Sequence, residues 1–321
     1  MVARVAVIIP AFNAQETIGN ALISVQGQTY QDFDIIVCDD CSTDDTLAVV
    51  RKFSDKDHRL TVLANEKNMG PSFSRNRAIS VASSEWIAML DADDIFDRDR
   101  LRKLVDIGIE LGADIVCDNL ILCSPRDAQP LGLAIPRSRV SSVRQLSART
   151  LIASDAQAVG PLPPSMSFGY LKPIIRKSFL TKHNIKYVED IRVGEDFMVL
   201  AECLIKGARC FLTPEPLYHY RMWPNSLSRN PGSNPFPNIL SLSERLLRMA
   251  EATNNQSVSK ELVKREKRLR AIINYQGIVD CSKNRKYFEA ACALFRSSRE
   301  WPFYAARLTV RLFRRLAKRL R

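Results

Sequence analysis

Short, nearly continuous apolar runs punctuate the first 122 residues, at 5–9, 33–38, 60–63, 86–90 and 114–122. Between them, near 15–26, 44–53, 71–82 and 97–110, the apolar positions take up helical spacing. Thr43 or Asp44 stands where it can cap the second of these helices, and Asp97 the fourth. Strands that are apolar along their whole length are covered on both faces. The alternation therefore predicts an α/β layer with a mainly parallel sheet between helices. In such folds ligands bind beyond the carboxyl ends of the strands, so the chemistry is to be sought there.

Further along the chain the pattern loosens. Residues 123–140 are rich in Pro and Ser and read as a surface loop. Mixed α/β character returns over 141–221, four prolines among Asn and Ser over 222–239 mark a boundary, and helical patterns dominate from about 240 onward. The expected organisation is a domain over 1–225 followed by a basic helical region over 226–321. No run approaches the roughly 20 apolar residues that a membrane-spanning helix needs. Residues 1–10 carry one early Arg and an apolar run that stops at a proline. They lack the length and the small-residue cleavage site of a secretory signal, so a cytoplasmic chain that opens on its first strand is expected.

The net charge of +12 over 321 residues changes this picture at one end only. Residues 1–260 hold 30 Lys/Arg and 30 Asp/Glu, whereas 261–321 hold 17 against 5. A neutral body with a basic end suggests a surface-docking appendage. Nucleic-acid binding, which wants distributed basic contacts, is disfavoured. The 8 cysteines lie scattered through apolar stretches. Cys38-x-x-Cys41 has metal-like spacing, but no second pair completes it and the chain has only 3 histidines, so reduced thiols are expected.

The segment Ile87-Ala-Met-Leu-Asp91-Ala-Asp93-Asp94 ends an apolar strand in three carboxylates within four residues. Like charges this close repel, and a fold keeps them together most readily where a cation joins them. Alternate residues of an extended segment point the same way, so Asp91 and Asp93 can converge on one ligand. A carboxylate plus substrate phosphates is the usual setting for Mg²⁺ or Mn²⁺; a solvated acidic cap is the plain alternative. A second apolar strand discharges into Asp39-Asp40-Cys-Ser42-Thr43-Asp44-Asp45, where an Asp can accept from ribose hydroxyls or a base N–H. Neither a G-x-G-x-x-G nor a Walker A segment is present, so dinucleotide and P-loop chemistry are unsupported. Asn68-Met-Gly70-Pro-Ser-Phe-Ser-Arg75-Asn76-Arg77 opens a helix whose N–H groups and guanidinium forks suit phosphate oxygens. Glu195-Asp196, ahead of an apolar helix, offers a carboxylate as general base for a hydroxyl nucleophile. Taken singly, the last three are matched by ordinary turns and helix starts.

Their order is more telling. Ile8-Ile9-Pro10-Ala-Phe12-Asn13, Asp39-Asp40, Asn68-x-Gly70 with Arg75-Asn76, Leu90-Asp-Ala-Asp-Asp94 and Glu195-Asp196 together resemble the family 2 glycosyltransferases, over roughly residues 4–225. The resemblance implies the GT-A nucleotide-diphospho-sugar transferase fold and an inverting, metal-dependent transfer. It also implies roles. Pro10 and Asp40 would contact the nucleotide base with Asp39 beside them, and Asp91 would face the ribose side of the donor. Asp93 would hold Mg²⁺ or Mn²⁺ on the diphosphate, with Arg75 nearby. Asp196 would be the catalytic base and Glu195 its neighbour. Residues 218–228 look like the family's closing strand and acceptor-side loop. The Gln-x-x-Arg-Trp motif and membrane spans of processive members are missing, which implies addition of a single sugar. Residues 113–120 and 169–176 look most like bacterial exopolysaccharide transferases of the succinoglycan type. That likeness implies UDP-glucose as donor and a lipid-linked oligosaccharide as acceptor; lipopolysaccharide or another surface glycan is the alternative.

The end of the chain, 295–321, mixes aromatics with nine Arg and Lys, and places Leu308, Leu312, Leu316 and Leu320 four residues apart. This is the pattern of a helix lying on an anionic membrane surface, here the inner face of the cytoplasmic membrane, where a lipid-linked acceptor would be found. A helix packed on the protein with snorkelling arginines would share it. A nucleotidyltransferase, the remaining enzymatic reading, would open on a glycine-rich phosphate loop rather than Ile8-Ile-Pro-Ala-Phe-Asn13.

Overall fold

The structure, a computed structural model, describes residues 4–158, 167–191, 193–223, 234–296 and 301–305. Two compact units emerge: Met1–Ala148 with Phe168–Ser233, and Arg149–Ser167 with Asn234–Arg321.

The first unit opens with β1 (Val5–Ala11), α1 (Ile18–Gln26), β2 (Phe33–Asp39), α2 (Thr46–Ser54), β3 (Leu60–Ala64), α3 (Pro71–Val81) and β4 (Trp86–Met89). It continues with β5 (Ile95–Phe96), α4 (Arg100–Glu110), β6 (Ile115–Cys123), β7 (Pro130–Leu133) and β8 (Arg144–Gln145). After α5 (Ala148–Ala158) and a 3-10 turn at Phe168–Tyr170 come β9 (Ile174–Arg176), α6 (Lys177–Lys182), α7 (Glu195–Ile205) and β10 (Cys210–Arg221). One sheet runs β3-β2-β1-β4-β9-β6-β10-β5. The first four strands are mutually parallel, β9 is antiparallel to both neighbours, and β10 returns parallel to β6. Central β1 buries Val5, Val7, Ile8 and Ile9 completely, which is why its run is apolar without alternation.

The mainly parallel α/β layer is thus as the sequence pattern implied, with two local differences. The expected loop at 123–140 contains β7, which adds to the edge of β6 through Ile121↔Leu133. Pro130 is tolerated because it stands at the strand's first position, where a missing N–H costs little. The expected caps also fall elsewhere. Neither α2 nor α4 has a side-chain cap, because Asp44 accepts from the N–H of Thr46 and Asp97 from that of Asp99, each closing an Asx turn outside the helix. Thr43 gives its N–H and hydroxyl to Asn13 instead.

Close packing brings α4 onto the sheet. A Cβ on Gly108 would meet the Trp86 ring at 2.8 Å, so only glycine lets the helix approach there. At the other end of α4, fully buried Arg100 forms a forked ion pair with Asp118 of β6 at 2.7 and 3.0 Å. It also donates to the backbone carbonyl of Lys172 and lies 4.2 Å from the Phe96 ring centroid.

In the second unit, α8 (Phe236–Ala252), α9 (Gln256–Lys283) and α10 (Tyr287–Arg296) follow one another as helices. Leu246, Leu262, Leu269 and Ile272 are buried, and Asn255 caps α9 by accepting from the N–H of Val258. Arg265 ties α9 to Asp155 of α5 at 2.7 Å, so the 149–167 segment groups with these helices. Residues 301–305 are helical, with Tyr304 buried 5.7 Å from the Tyr275 ring and Trp301 about half exposed. The boundary expected near 225 and the leucines at 308, 312, 316 and 320 lie outside the described residues. Among the described residues no helix is long and apolar enough to cross a membrane.

Candidate active site

The parallel strands deliver four loops to one edge of the sheet. Register pairs Ala11 with Asp39 and Asp39 with Ala64, so the ends of β1, β2 and β3 lie abreast. Pro10 is accommodated because its missing N–H falls on the β4 side, where pairing has already ended at Ile8↔Met89. Asn13, in the left-handed region at φ 48°, accepts from Thr43 and joins the first two loops.

Asp39 and Asp40 are both buried yet do different things. Asp40 spends its carboxylate on the third loop: Oδ1 accepts from Asn65 Nδ2 at 2.7 Å and the Met69 N–H at 2.9 Å, and Oδ2 from the Gly70 N–H at 2.7 Å. Gly70 sits at φ 89°, a left-handed position that only glycine occupies without strain. Asp39 accepts from the Ser42 N–H through Oδ2 at 3.1 Å, while its buried Oδ1 has no hydrogen-bond partner. A buried acceptor left unmade costs about 1–3 kcal/mol, which marks Oδ1 as the atom with binding capacity to spare.

The three carboxylates after β4 also separate. Asp94 is fully enclosed: Tyr218 donates to it at 2.7 Å and the Arg221 N–H at 2.8 Å. Burial, with Asp93 and Asp91 adding to it, pushes its carboxyl well above the usual range, and its two accepted hydrogen bonds brace the β4 loop against β10. Asp91 lies between two buried cations, Arg75 of α3 at 2.9 Å and Lys172 at 2.7 Å. Burial alone would raise its carboxyl, but Lys172 and Arg75 outweigh it and hold the group well below the usual carboxylate range. Asp93 makes no ion pair and no hydrogen bond to another residue among those described. Burial, then the neighbouring Asp91, pushes its carboxyl up to about 6.

Both cations reach onward to α7. Arg75 pairs with Glu195 at 2.9 Å and Lys172 with Asp196 at 2.5 Å, which gives the sequence Glu195–Arg75–Asp91–Lys172–Asp196. Glu195 and Asp196 occupy the first turn of α7 after Gly194, where the helix dipole favours carboxylates. Burial and Asp196 together keep the Glu195 carboxyl raised despite Arg75. Asp91, Arg75, Glu195 and Asp196 are therefore brought together as the sequence suggested, but Arg75 already engages two carboxylates. Lys172 had been given no role. Its only signal was a cation inside the apolar run Leu171-Lys172-Pro173-Ile174, a place where an unpaired charge would be prohibitively costly.

No group of three or more His, Cys, Asp or Glu among the described residues could hold a metal ion alone. That does not conflict with the hard-cation reading. Mg²⁺ in phosphate-transfer sites takes one or two carboxylates and completes its shell with phosphate and water. An unpartnered, raised carboxyl among oxygen ligands fits such a cation.

Residues 6–139 match the model for glycosyl transferase family 2. The succinoglycan biosynthesis protein ExoO of Rhizobium meliloti is 34% identical over 222 residues, covering 69% of this chain and 62% of that protein. A protein of Escherichia coli described as UDP-Glc:alpha-D-GlcNAc-diphosphoundecaprenol beta-1,3-glucosyltransferase WfgD is 40% identical over 103 residues, 32% of this chain and 40% of its own. The chain thus spans less than two thirds of the length of these relatives. Among solved structures, Staphylococcus aureus TarS 1-349 in complex with UDP-GlcNAc superposes with a TM-score of 0.66 at 20% identity, covering 81% of this chain and 72% of that one. The fold is GT-A.

The strain on Asp93 has a measurable sign. Its carboxyl at about 6 stands above the ordinary value near ~3.9, so the folded state binds the proton more tightly than the unfolded one. The stability this gives is present below about pH 4 and is lost as pH rises toward about 6. Burial drives the shift, Asp91 adds to it, and Lys172 and Arg221 oppose it. In chelator, melting curves of the wild type should lose more stability over that window than those of Asp93→Asn, whose amide does not titrate. Parallel pH profiles for the two proteins would show that Asp93 is not under this pressure.

Proposed function

We propose that this chain, whose residues 6–139 match glycosyl transferase family 2, transfers one sugar from a nucleoside diphosphate donor to an acceptor hydroxyl in the assembly of an exopolysaccharide or other surface glycan. The observation that carries this reading is the line of alternating charge from Glu195 to Asp196. Asp196, taken as the base, shares Lys172 with Asp91, taken as the donor-side residue, and this shared contact supports the reading.

Each residue then has a task that follows from its surroundings. Asp39 Oδ1, buried and unpartnered, is the acceptor for a base N–H, and Pro10 borders the same space. Asp40 contributes indirectly, by holding the 65–70 loop against the nucleotide subsite. Asp91 faces the ribose side, where its two cations keep it ionised. Asp93 would hold Mg²⁺ or Mn²⁺, which when bound would offset charge on the departing diphosphate. Asp196 takes the proton of the acceptor hydroxyl as that oxygen attacks the anomeric carbon from the face opposite the leaving group, inverting the configuration. The description of the Escherichia coli relative, with its UDP-Glc donor and diphosphoundecaprenol-linked acceptor, supports UDP-glucose as donor and a lipid-linked acceptor, which we take to be an oligosaccharide. The basic end of the chain supplies an anionic-membrane contact on the cytoplasmic side, worth about 1 kcal/mol per Lys or Arg near the lipid.

Two variants test the assignment when nucleotide sugars are offered with membrane-extracted lipid acceptors. Asp196→Asn should lower sugar transfer by roughly 10²–10⁴-fold with UDP affinity nearly unchanged. Asp39→Ala should do the converse, weakening UDP roughly 10–100-fold in calorimetric titration, the scale of a lost charged hydrogen bond. A collapse of UDP binding in Asp196→Asn with a normal rate per bound donor would make that residue a binding group instead. For the membrane contact, the full chain should sediment with anionic vesicles at low salt and be released at high salt, and a chain ending at 294 should not sediment. Salt-insensitive binding, or none by the full chain, removes the membrane from this account.

A further inference from the structure

Beyond helping to keep Asp91 ionised, Lys172 has no role among those distributed above, yet it is held firmly at both ends. Its residue is only 5% exposed, and Arg100 fixes its backbone by donating to the carbonyl. Pro173 then stiffens the chain on the other side. At the far end of the side chain, the ammonium lies 2.5 Å from Asp196 Oδ2 and 2.7 Å from Asp91 Oδ2. Lys172 therefore engages one oxygen of Asp196 and leaves Oδ1 without a hydrogen bond among the described residues. A carboxylate gripped by one oxygen can turn only a little, and its second oxygen is aimed.

The obvious job for a lysine beside a diphosphate is to bind phosphate as a mobile point charge. The geometry argues otherwise. To reach a phosphate, this ammonium would have to abandon two partly buried carboxylates; Asp91 would keep Arg75, but Asp196 would be left without a cation, which is unfavourable. Its anchored backbone also gives it little reach. We propose that Lys172 is a positioning residue. It holds Asp196 by Oδ2 so that Oδ1 receives the acceptor hydroxyl's proton, and through Asp91 it ties the base to the donor subsite. The two substrates thereby meet at a spacing set by one side chain. The proposal rests on Asp196 being the base.

Because Lys172 would act through Asp196, its effect should vanish when the base is gone. Full-length wild type, Lys172→Met, Asp196→Asn and the double variant are compared with radiolabelled donor. Lys172→Met should lower kcat roughly 10–100-fold, the scale of a misaligned reacting group, with the donor KM within about threefold. In the Asp196→Asn background the same change should cost less than about twofold, because coupled residues are not additive. Equal losses in both backgrounds, or a raised donor KM at unchanged kcat, would overturn the proposal and make Lys172 a donor contact. Full transfer by Asp196→Asn would be a different failure, sinking the base assignment and the proposal together. If melting shows that Lys172→Met does not fold, Lys172→Gln, which keeps a polar group against the carboxylates, is put through the same cycle and read by the same criterion.

Discussion

Asp91 bridges Arg75 and Lys172 inside a site where four carboxylates and two cations share little water. Desolvation of this many charges is affordable only because they alternate; removing one partner of such a buried pair costs about 3–5 kcal/mol. The bridge also gathers distant pieces of chain. Arg75 comes from α3, Asp91 from the end of β4, Lys172 from the segment before β9, and Glu195 with Asp196 from the start of α7. Two cations cannot satisfy every carboxylate, and the remainder falls on Asp93. The surplus of negative charge is thus concentrated on one atom group at the mouth of the strands, where a phosphate-bound cation would relieve it.

The sheet is what makes that concentration possible. Parallel β1, β2, β3 and β4 end side by side, so loops far apart in sequence converge without long excursions. Antiparallel β9 then inserts between β4 and β6 and carries Lys172 to its place, with Arg100 and Asp118 bracing it from beneath. Asp94, fully buried, fastens the acidic loop to β10 by accepting from Tyr218 and Arg221. Carboxylates close in sequence therefore have opposite duties: Asp94 holds the loop, Asp91 is held by cations, and Asp93 is left open.

Much of this was legible in the sequence, for physical reasons. Strands covered on both faces leave continuous apolar runs, so β1, β2, β4 and β6 could be located to within a few residues; edge strand β3, partly exposed, was found by its short apolar run. The Asp91-Ala-Asp93 spacing announces convergence because strand side chains alternate. Features set by tertiary contact were hidden. Lys172 finds its partners only after β9 is seated, and no local spacing encodes that. Asp39 and Asp40 are indistinguishable as letters; what separates them is that three donors from Asn65, Met69 and Gly70 arrive at the second and none at Oδ1 of the first. Asp44 and Asp97 were cap candidates by composition, but their nearest N–H groups lie two residues on and close turns instead. The grouping of 149–167 with the C-terminal helices depends on Arg265 reaching Asp155, a contact across 110 positions.

The central claim is that Asp93 and a nucleoside diphosphate share one cation, because the ion pairs occupy Asp91, Glu195 and Asp196 and leave Asp93 without a cation. Thermal unfolding with UDP and Mn²⁺, added singly and together, tests it directly. Together they should raise Tm by more than the sum of the separate shifts, since each completes the other's site and ligands stabilise by the affinity they gain. An equal UDP shift in the presence of excess chelator would contradict the account.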